Sequence, residues 1–283
     1  MKTPLWARLV LRATRATLKL HRAQEILRDE LLFAYLPASA RSAFTVDSYS
    51  PEHSYVSGGY VFEMGLFDWE KALLDGPLLP RSGRVLLGAA GGGRELKGLA
   101  ERGYVVSAFE PAPDLLAAAR QVASSFPGSR VVHATYSDLC ALARGESSKL
   151  AGFELDVDLV WLGWGSISHL TEPGEVLALL RAVRTLLPDK LVVLSYLPRG
   201  SEAEKGRGAR KLREALRSVF GRLGGAPVPE GLDCHTLSGF AYLFTEEEFS
   251  ALVQQAGYRA LMRQRDPFPH AVLSPLAESA RTR

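Results

Sequence analysis

The stretch of the chain best suited to chemistry is Gly88-Ala-Ala-Gly-Gly-Gly-Arg-Glu95. It ends a short apolar run, Arg84–Ala89, and opens a segment with helical patterning. Small residues at such a turn let a ligand come close to the backbone. The free amides of a helix N-terminus then offer it hydrogen bonds. Glu110 closes the next apolar run, 22 residues after Gly88. An acid at that strand end can accept hydrogen bonds from both hydroxyls of a ribose. The pair points to a nucleoside-bearing ligand; the competing reading is tight helix–strand packing beside a surface acid. A dinucleotide site prefers G-x-G-x-x-G. Glycines at 88, 91, 92 and 93 do not keep that spacing, and no long second mononucleotide-binding half follows.

His169 is the best candidate for a base. A short Gly/Ser-rich loop carries it past the fourth apolar run, on the side where ligands sit in open α/β sheets. It could equally cap or pack before Leu170. Trp164 could wall a pocket or belong to the core. Tyr55 and Tyr60 lie in an aromatic stretch, 44–69, around Gly58-Gly59. That stretch reads as a lid or as plain packing. His53 and His235 are weaker candidates. Asp233-Cys234-His235 supplies only one triplet toward a metal site, so no metal is expected. Cys140 and Cys234 are the only cysteines, too few for a disulfide framework or a zinc spacing.

The elements that must hold these residues follow from periodicity. Tyr104–Glu110, Arg130–Thr135, Asp156–Gly163 and Lys190–Leu197 read as further strands. Arg94–Arg102, Pro113–Phe126 and Glu172–Leu187 read as helices between them. This alternation implies a parallel, doubly wound sheet. Residues 198–222 are helical and basic. Thr245-Glu-Glu-Glu248 is a capping box for a helix that stops at Gly257. Tyr258–Asp266 and His270–Leu276 are joined by Pro267-Phe268-Pro269, too short for a crossover, so they should form an antiparallel hairpin.

The chain has 283 residues, 47% apolar and 23% charged, which suits one large domain or a domain with an appended segment. No apolar run approaches the roughly 18 residues of a membrane span. The net charge of +3 hides an asymmetry. Residues 1–46 carry +5, residues 198–222 another +5, and the remainder −7. A uniformly basic nucleic-acid binder is thereby excluded. Thr3-Pro4 reads as a helix start, with Thr as N-cap. Leu5, Leu9, Ala13, Ala16, Leu20, Ala23, Leu27 and Leu31 then line one helical face that ends near Pro37. The expectation is a helix packed on its own domain; a membrane-surface helix and a partner helix are the alternatives.

The motifs resemble those of class I S-adenosylmethionine-dependent methyltransferases over roughly residues 55–283. Val85-Leu-Leu-Gly-Ala-Ala-Gly-Gly-Gly93 is similar to the first motif, and Glu110 to the ribose-binding acid. Ala134–Leu139 lies where that family contacts adenine. Asp156–Leu170 resembles its fourth strand and the loop on the substrate side. Leu187–Leu194, Phe244–Phe249, Gln255–Tyr258 and the closing hairpin resemble its later elements. Leu87 stands where the first motif usually has an acid, Ala89 at its first glycine, and Thr135 where an acid often meets the adenine amine.

The resemblance implies a Rossmann-like, mostly parallel seven-stranded sheet with an antiparallel last strand. It implies a domain over 47–283, with 198–240 as an acceptor cap, behind a helical extension over 1–46. It implies S-adenosylmethionine as cofactor, held by Gly88, Ala89, Ala90, Gly91, Gly93, Glu110, Pro111, Thr135, Tyr136, Asp138, Gly163, Trp164 and Tyr60. A helix N-cap explains Asp138 equally well. The implied activity is methyl transfer to the O, N or C nucleophile of a small molecule in the cytoplasm, without nucleic acid. Methylation of RNA or protein, and S-adenosylmethionine binding without turnover, are the alternatives.

Overall fold

A computed structural model describes residues 3–49, 54–153, 155–200, 207–235 and 238–277. The chain opens with helices α1 (Leu5–Tyr35), α2 (Ala38–Asp47), α3 (Tyr60–Glu63) and α4 (Asp68–Asp75). Strands and helices then alternate: β1 (Gly83–Gly88), α5 (Arg94–Ala100), β2 (Tyr104–Glu110), α6 (Pro113–Ala123), β3 (Arg130–His133) and α7 (Tyr136–Ala143). After β4 (Leu159–Leu162) comes a 3-10 turn, Ser166–His169, then α8 (Pro173–Leu186) and β5 (Leu191–Ser195). Helix α9 (Arg207–Arg222), strands β6 (Leu232–His235) and β7 (Gly239–Tyr242), and α10 (Glu246–Gln255) precede β8 (Tyr258–Gln264) and β9 (His270–Pro275).

Seven strands form one sheet in the order β3-β2-β1-β4-β5-β9-β8. The first five are mutually parallel. Strand β9 runs antiparallel to β5, and β8 pairs antiparallel with β9 at the edge. The expected closing hairpin is therefore present, with its second strand inserted next to β5. Strand order reverses between β1 and β4, so the crevice outside their C-terminal ends is where a ligand fits. The capping box at Thr245 also forms, with reciprocal bonds to Glu248.

Alternation along each strand sends side chains to opposite layers. Leu86, Val160, Val192 and Leu194 pack under α7, α8 and α10. Val85, Leu87, Trp161 and Val193 pack under α4, α5 and α6. These chains are withdrawn from water completely or nearly so. Burial of each is worth about 1.5–3 kcal/mol, so the central strands hold their registers firmly.

A third cluster, Phe33, Leu232, Cys234 and Phe240, joins the end of α1 to the β6–β7 hairpin. Thr45 of α2 accepts a hydrogen bond from the Phe240 amide at 2.9 Å. Gly239 holds φ +67, and a Cβ there would stand 2.5 Å from the Thr45 backbone. The N-terminal segment and the hairpin inserted between β5 and α10 thus meet as a small cap.

The expectation that α1 packs on its own domain is met by its C-terminal third. Its buried residues are Ile26, Asp29, Glu30, Phe33 and Ala34. Glu30 anchors it, bonded to Arg217 at 2.7 Å and Arg213 at 2.9 Å, with Asp29 and Arg213 3.4 Å apart. Before Ile26 no residue of α1 is buried. Pro4, not Thr3, occupies the N-cap position. Among the described residues no helix is long and apolar enough to cross a membrane.

Candidate functional site

The glycine turn is built by steric demands on several sides. At Gly88 a Cβ would stand 2.8 Å from the Tyr136 ring and 3.1 Å from Phe109, so this glycine serves packing. Gly93, at φ +97, is the N-cap of α5, and a Cβ would press on Ala119 and Val122 of α6. Gly163 seals the end of β4 against the turn, where a Cβ would lie 2.4 Å from the Ala89 carbonyl. Gly91 differs. Its φ is +56 and nothing lies within 4 Å of where its Cβ would project. Ala89 also holds a left-handed φ of +54, uncommon for a residue with a side chain. At Gly92 a Cβ would stand 2.2 Å from the Tyr55 carbonyl. The aromatic segment therefore lies directly on the turn.

Beside the turn, the Glu110 carboxylate accepts from the Gly91 amide at 2.8 Å and the Ala112 amide at 2.9 Å. Only 4% of the residue is exposed. Burial pushes its carboxyl up to about 7, against the pull of those two amides. A buried carboxyl poised near neutrality gains from any ligand that donates hydrogen bonds to its ionised form.

On the other side of the turn Arg94 forms a fork with Glu70, at 2.6 and 2.8 Å, and reaches Glu95 at 2.9 Å. It lies over the Phe67 ring, 4.0 Å from the centroid. Burial pushes the Glu70 carboxyl up while Arg94 pulls it down. Because guanidinium keeps its proton, the bidentate geometry marks an ionised pair. Glu95 in turn accepts from the Trp164 amide at 2.8 Å, fixing the loop after β4.

Beside the turn lies one cavity of about 220 Å³. Ala89, Ala90, Gly91, Glu110, Pro111, Thr135, Tyr136, Trp164 and His169 line it, as does Tyr55. Gly88, Gly93, Gly163, Asp138 and Tyr60 do not. The three glycines act from behind, by packing. Asp138 caps α7 in a reciprocal pair with Thr135. Although burial works against it, those bonds hold its carboxyl below the usual range. Tyr60 is 76% exposed and away from the cavity.

His169 is held by bonds on both ring nitrogens. Its Nδ1 lies 2.9 Å from the Phe240 carbonyl, and its Nε2 lies 2.9 Å from the Tyr49 hydroxyl. A carbonyl can only accept, so Nδ1 carries a hydrogen. In the neutral ring Nε2 is then the acceptor, and Tyr49 donates to it. Burial holds the Tyr49 hydroxyl well above the usual phenol range.

Several lining residues escaped the sequence reading. Tyr49 is one of the aromatics of the 44–69 stretch, with nothing in the sequence to single it out. Ser42, Thr45 and Val46 belong to α2, inside the segment read as an extension. Arg94 and Glu95 were visible only as part of the turn. His53 lies outside the described residues, as does the side chain of His235. Among the described residues no cluster of three or more His, Cys, Asp or Glu is placed to hold a metal. Both cysteines are free.

No protein-family model matches the chain. No curated protein matches it in sequence either. Many solved structures match in fold. An S-adenosylmethionine-dependent methyltransferase from Methanosarcina mazei superposes with a TM-score of 0.50 at 15% identity, covering 76% of this chain and all of that one. The CcbJ methyltransferase from Streptomyces caelestis gives 0.51 at 15% identity, over 81% of this chain and 100% of its own. A Rhodobacter sphaeroides protein provisionally described as a zinc-dependent alcohol dehydrogenase gives 0.53 at 14%, over 82% of this chain and 98% of its own. At these identities the likeness is one of architecture. Taken with the strand order and the reversed β9, it shows that the chain has the Rossmann-like fold of the class I S-adenosylmethionine-dependent methyltransferases.

Proposed function

We propose that the protein is an S-adenosylmethionine-dependent methyltransferase acting on an uncharged small-molecule nucleophile. The observation that carries this reading is the juxtaposition of an open left-handed Gly91 with the buried Glu110 carboxylate in one cavity. Fold alone would not support it, because one fold hosts many chemistries. The donor set suits an adenosyl group: Glu110 for the ribose hydroxyls, and Ala89, Ala90 and Gly91 for close backbone approach. Pro111, Thr135 and Tyr136 would border the base. Bound S-adenosylmethionine would supply an electrophilic methyl on a sulfonium.

The chain's own task is mainly alignment and exclusion of water, which can supply much of the rate. Tyr55, Trp164 and Phe268 form an aromatic wall, with Trp164 and Phe268 centroids 5.3 Å apart. Ser42, Thr45, Val46, Leu170 and Leu197 also line the cavity and carry no formal charge. An uncharged acceptor leaves no unpaired ion in such a setting.

A hydroxyl acceptor must lose a proton as its oxygen is methylated. His169 is the base in this reading. Its Nε2 takes the Tyr49 proton as the Tyr49 oxygen takes that of the acceptor. The Phe240 carbonyl holds the resulting imidazolium through Nδ1.

Incubating the protein with methyl-labelled S-adenosylmethionine and a pool of small hydroxyl and amine metabolites tests the proposal. Label should enter an uncharged acceptor, and His169→Ala should slow its transfer. Tight binding with no label transferred to any pool would leave a binding protein without turnover.

A further inference from the structure

We infer that the N-terminal half of α1 is a docking arm for an anionic membrane surface. The inference is independent of the activity proposed above. The first buried residue of α1 is Ile26, so residues 5–25 project from the body of the protein. At about 1.5 Å per residue this free section is roughly 30 Å long.

It carries a cationic stripe between exposed apolar residues. Arg8, Arg12, Arg15, Lys19 and Arg22 recur at intervals of four, three, four and three, which confines them to an arc of about 80°. No acid occurs before Glu25. Arg22 is paired with Glu25 at 3.2 Å. Among the described residues, Arg8, Arg12, Arg15 and Lys19 have no ion-pair partner. On one flank of the cationic stripe lie Leu5, Trp6, Leu9, Val10 and Leu20, and on the other Leu11 and Leu18, each between 52% and 70% exposed.

A second copy of the chain suits this surface poorly. Paired coiled-coil helices use a narrow apolar seam flanked by charges of both signs. Here the apolar arc is broad, and Trp6 and Val10 lie outside a two-residue seam. Every charge that would flank it before Glu25 is positive. A lipid surface accepts both features. Leucines and a tryptophan enter the headgroup boundary, and basic side chains reach the phosphates. The buried end of α1 packs on the β6–β7 hairpin, so docking of the arm would tether the protein through that cap.

The test is sedimentation of the full chain with phosphatidylcholine vesicles, with and without phosphatidylglycerol. The chain should bind only the anionic vesicles, and high salt should release it. A triple charge reversal, Arg12→Glu, Arg15→Glu and Lys19→Glu, should weaken binding by at least about a hundredfold. These three residues are exposed and, among the described residues, have no ion-pair partner, so circular dichroism and the melting temperature should not change. Brominated lipid should quench a fluorescence component that Trp6→Phe removes. Equal binding to neutral vesicles, or none to anionic ones, would overturn the inference. So would a concentration-dependent dimer that Leu9→Asp and Leu20→Asp abolish.

Discussion

Glu110 should couple cofactor affinity to pH, with a sign and size set by its surroundings. In the folded chain its carboxyl stands near 7 against an ordinary 4.5. The difference corresponds to about 3 kcal/mol favouring the protonated form. For stability alone, this raised acid contributes fully below the unfolded value near 4.5 and loses its contribution as pH rises through about 7. Ribose hydroxyls reverse the preference, since they donate to the ionised form. Below neutrality, binding must then expel a proton. The association constant should fall about tenfold per pH unit, or roughly thirtyfold between pH 8 and pH 5.5. Calorimetry near pH 6 in two buffers of different ionisation enthalpy reads the proton directly. Because the ligand's own amine also titrates, the decisive quantity is the difference from Glu110→Gln. Identical proton release by the two proteins would refute the assignment of Glu110.

Other perturbations have definite outcomes. Glu70→Ala leaves Arg94 buried with only Glu95 as ionic partner and strips the Phe67 amide of its acceptor. It should cost about 3–5 kcal/mol in urea denaturation. Gly92→Ala would drive a methyl into the Tyr55 carbonyl, 2.2 Å away. It should weaken S-adenosylmethionine binding more than it lowers the melting temperature. Tyr49→Phe removes the hydroxyl between acceptor and His169, so kcat should fall at every pH while cofactor affinity in calorimetry stays the same.

Much of the fold was legible because its signals are local. The strand runs, the capping box at Thr245 and the closing hairpin each need only a few neighbouring residues. The glycine turn and Glu110 were legible for the same reason. What sequence could not say was which way each glycine faces. Gly88, Gly93 and Gly163 are small because side chains or backbone crowd them, whereas Gly91 is small beside open space. Spacing alone treats the four alike.

The contacts that cross the chain were invisible. Tyr49 meets His169 across 120 residues, and the Phe240 carbonyl approaches from 71 residues beyond. Nothing in the local pattern of α2 marks Thr45 as a support for β7. By charge alone, the basic segment 198–222 reads first as a solvated face and second as a surface for an acidic substrate or a nucleic-acid backbone. Two of its cations, Arg213 and Arg217, are instead spent on Glu30 and Asp29 of α1. Neutralising Arg213 would therefore loosen the cap before it changed any recognition.

Calorimetry on ligand-stripped protein tests the central claim most directly. Titration with S-adenosylmethionine should give saturable heat at one site per chain. Glu110→Ala should reduce that affinity by at least about tenfold, on the scale of one charged hydrogen bond. A nicotinamide dinucleotide should give no heat. Heat with the dinucleotide and none with S-adenosylmethionine would contradict the account.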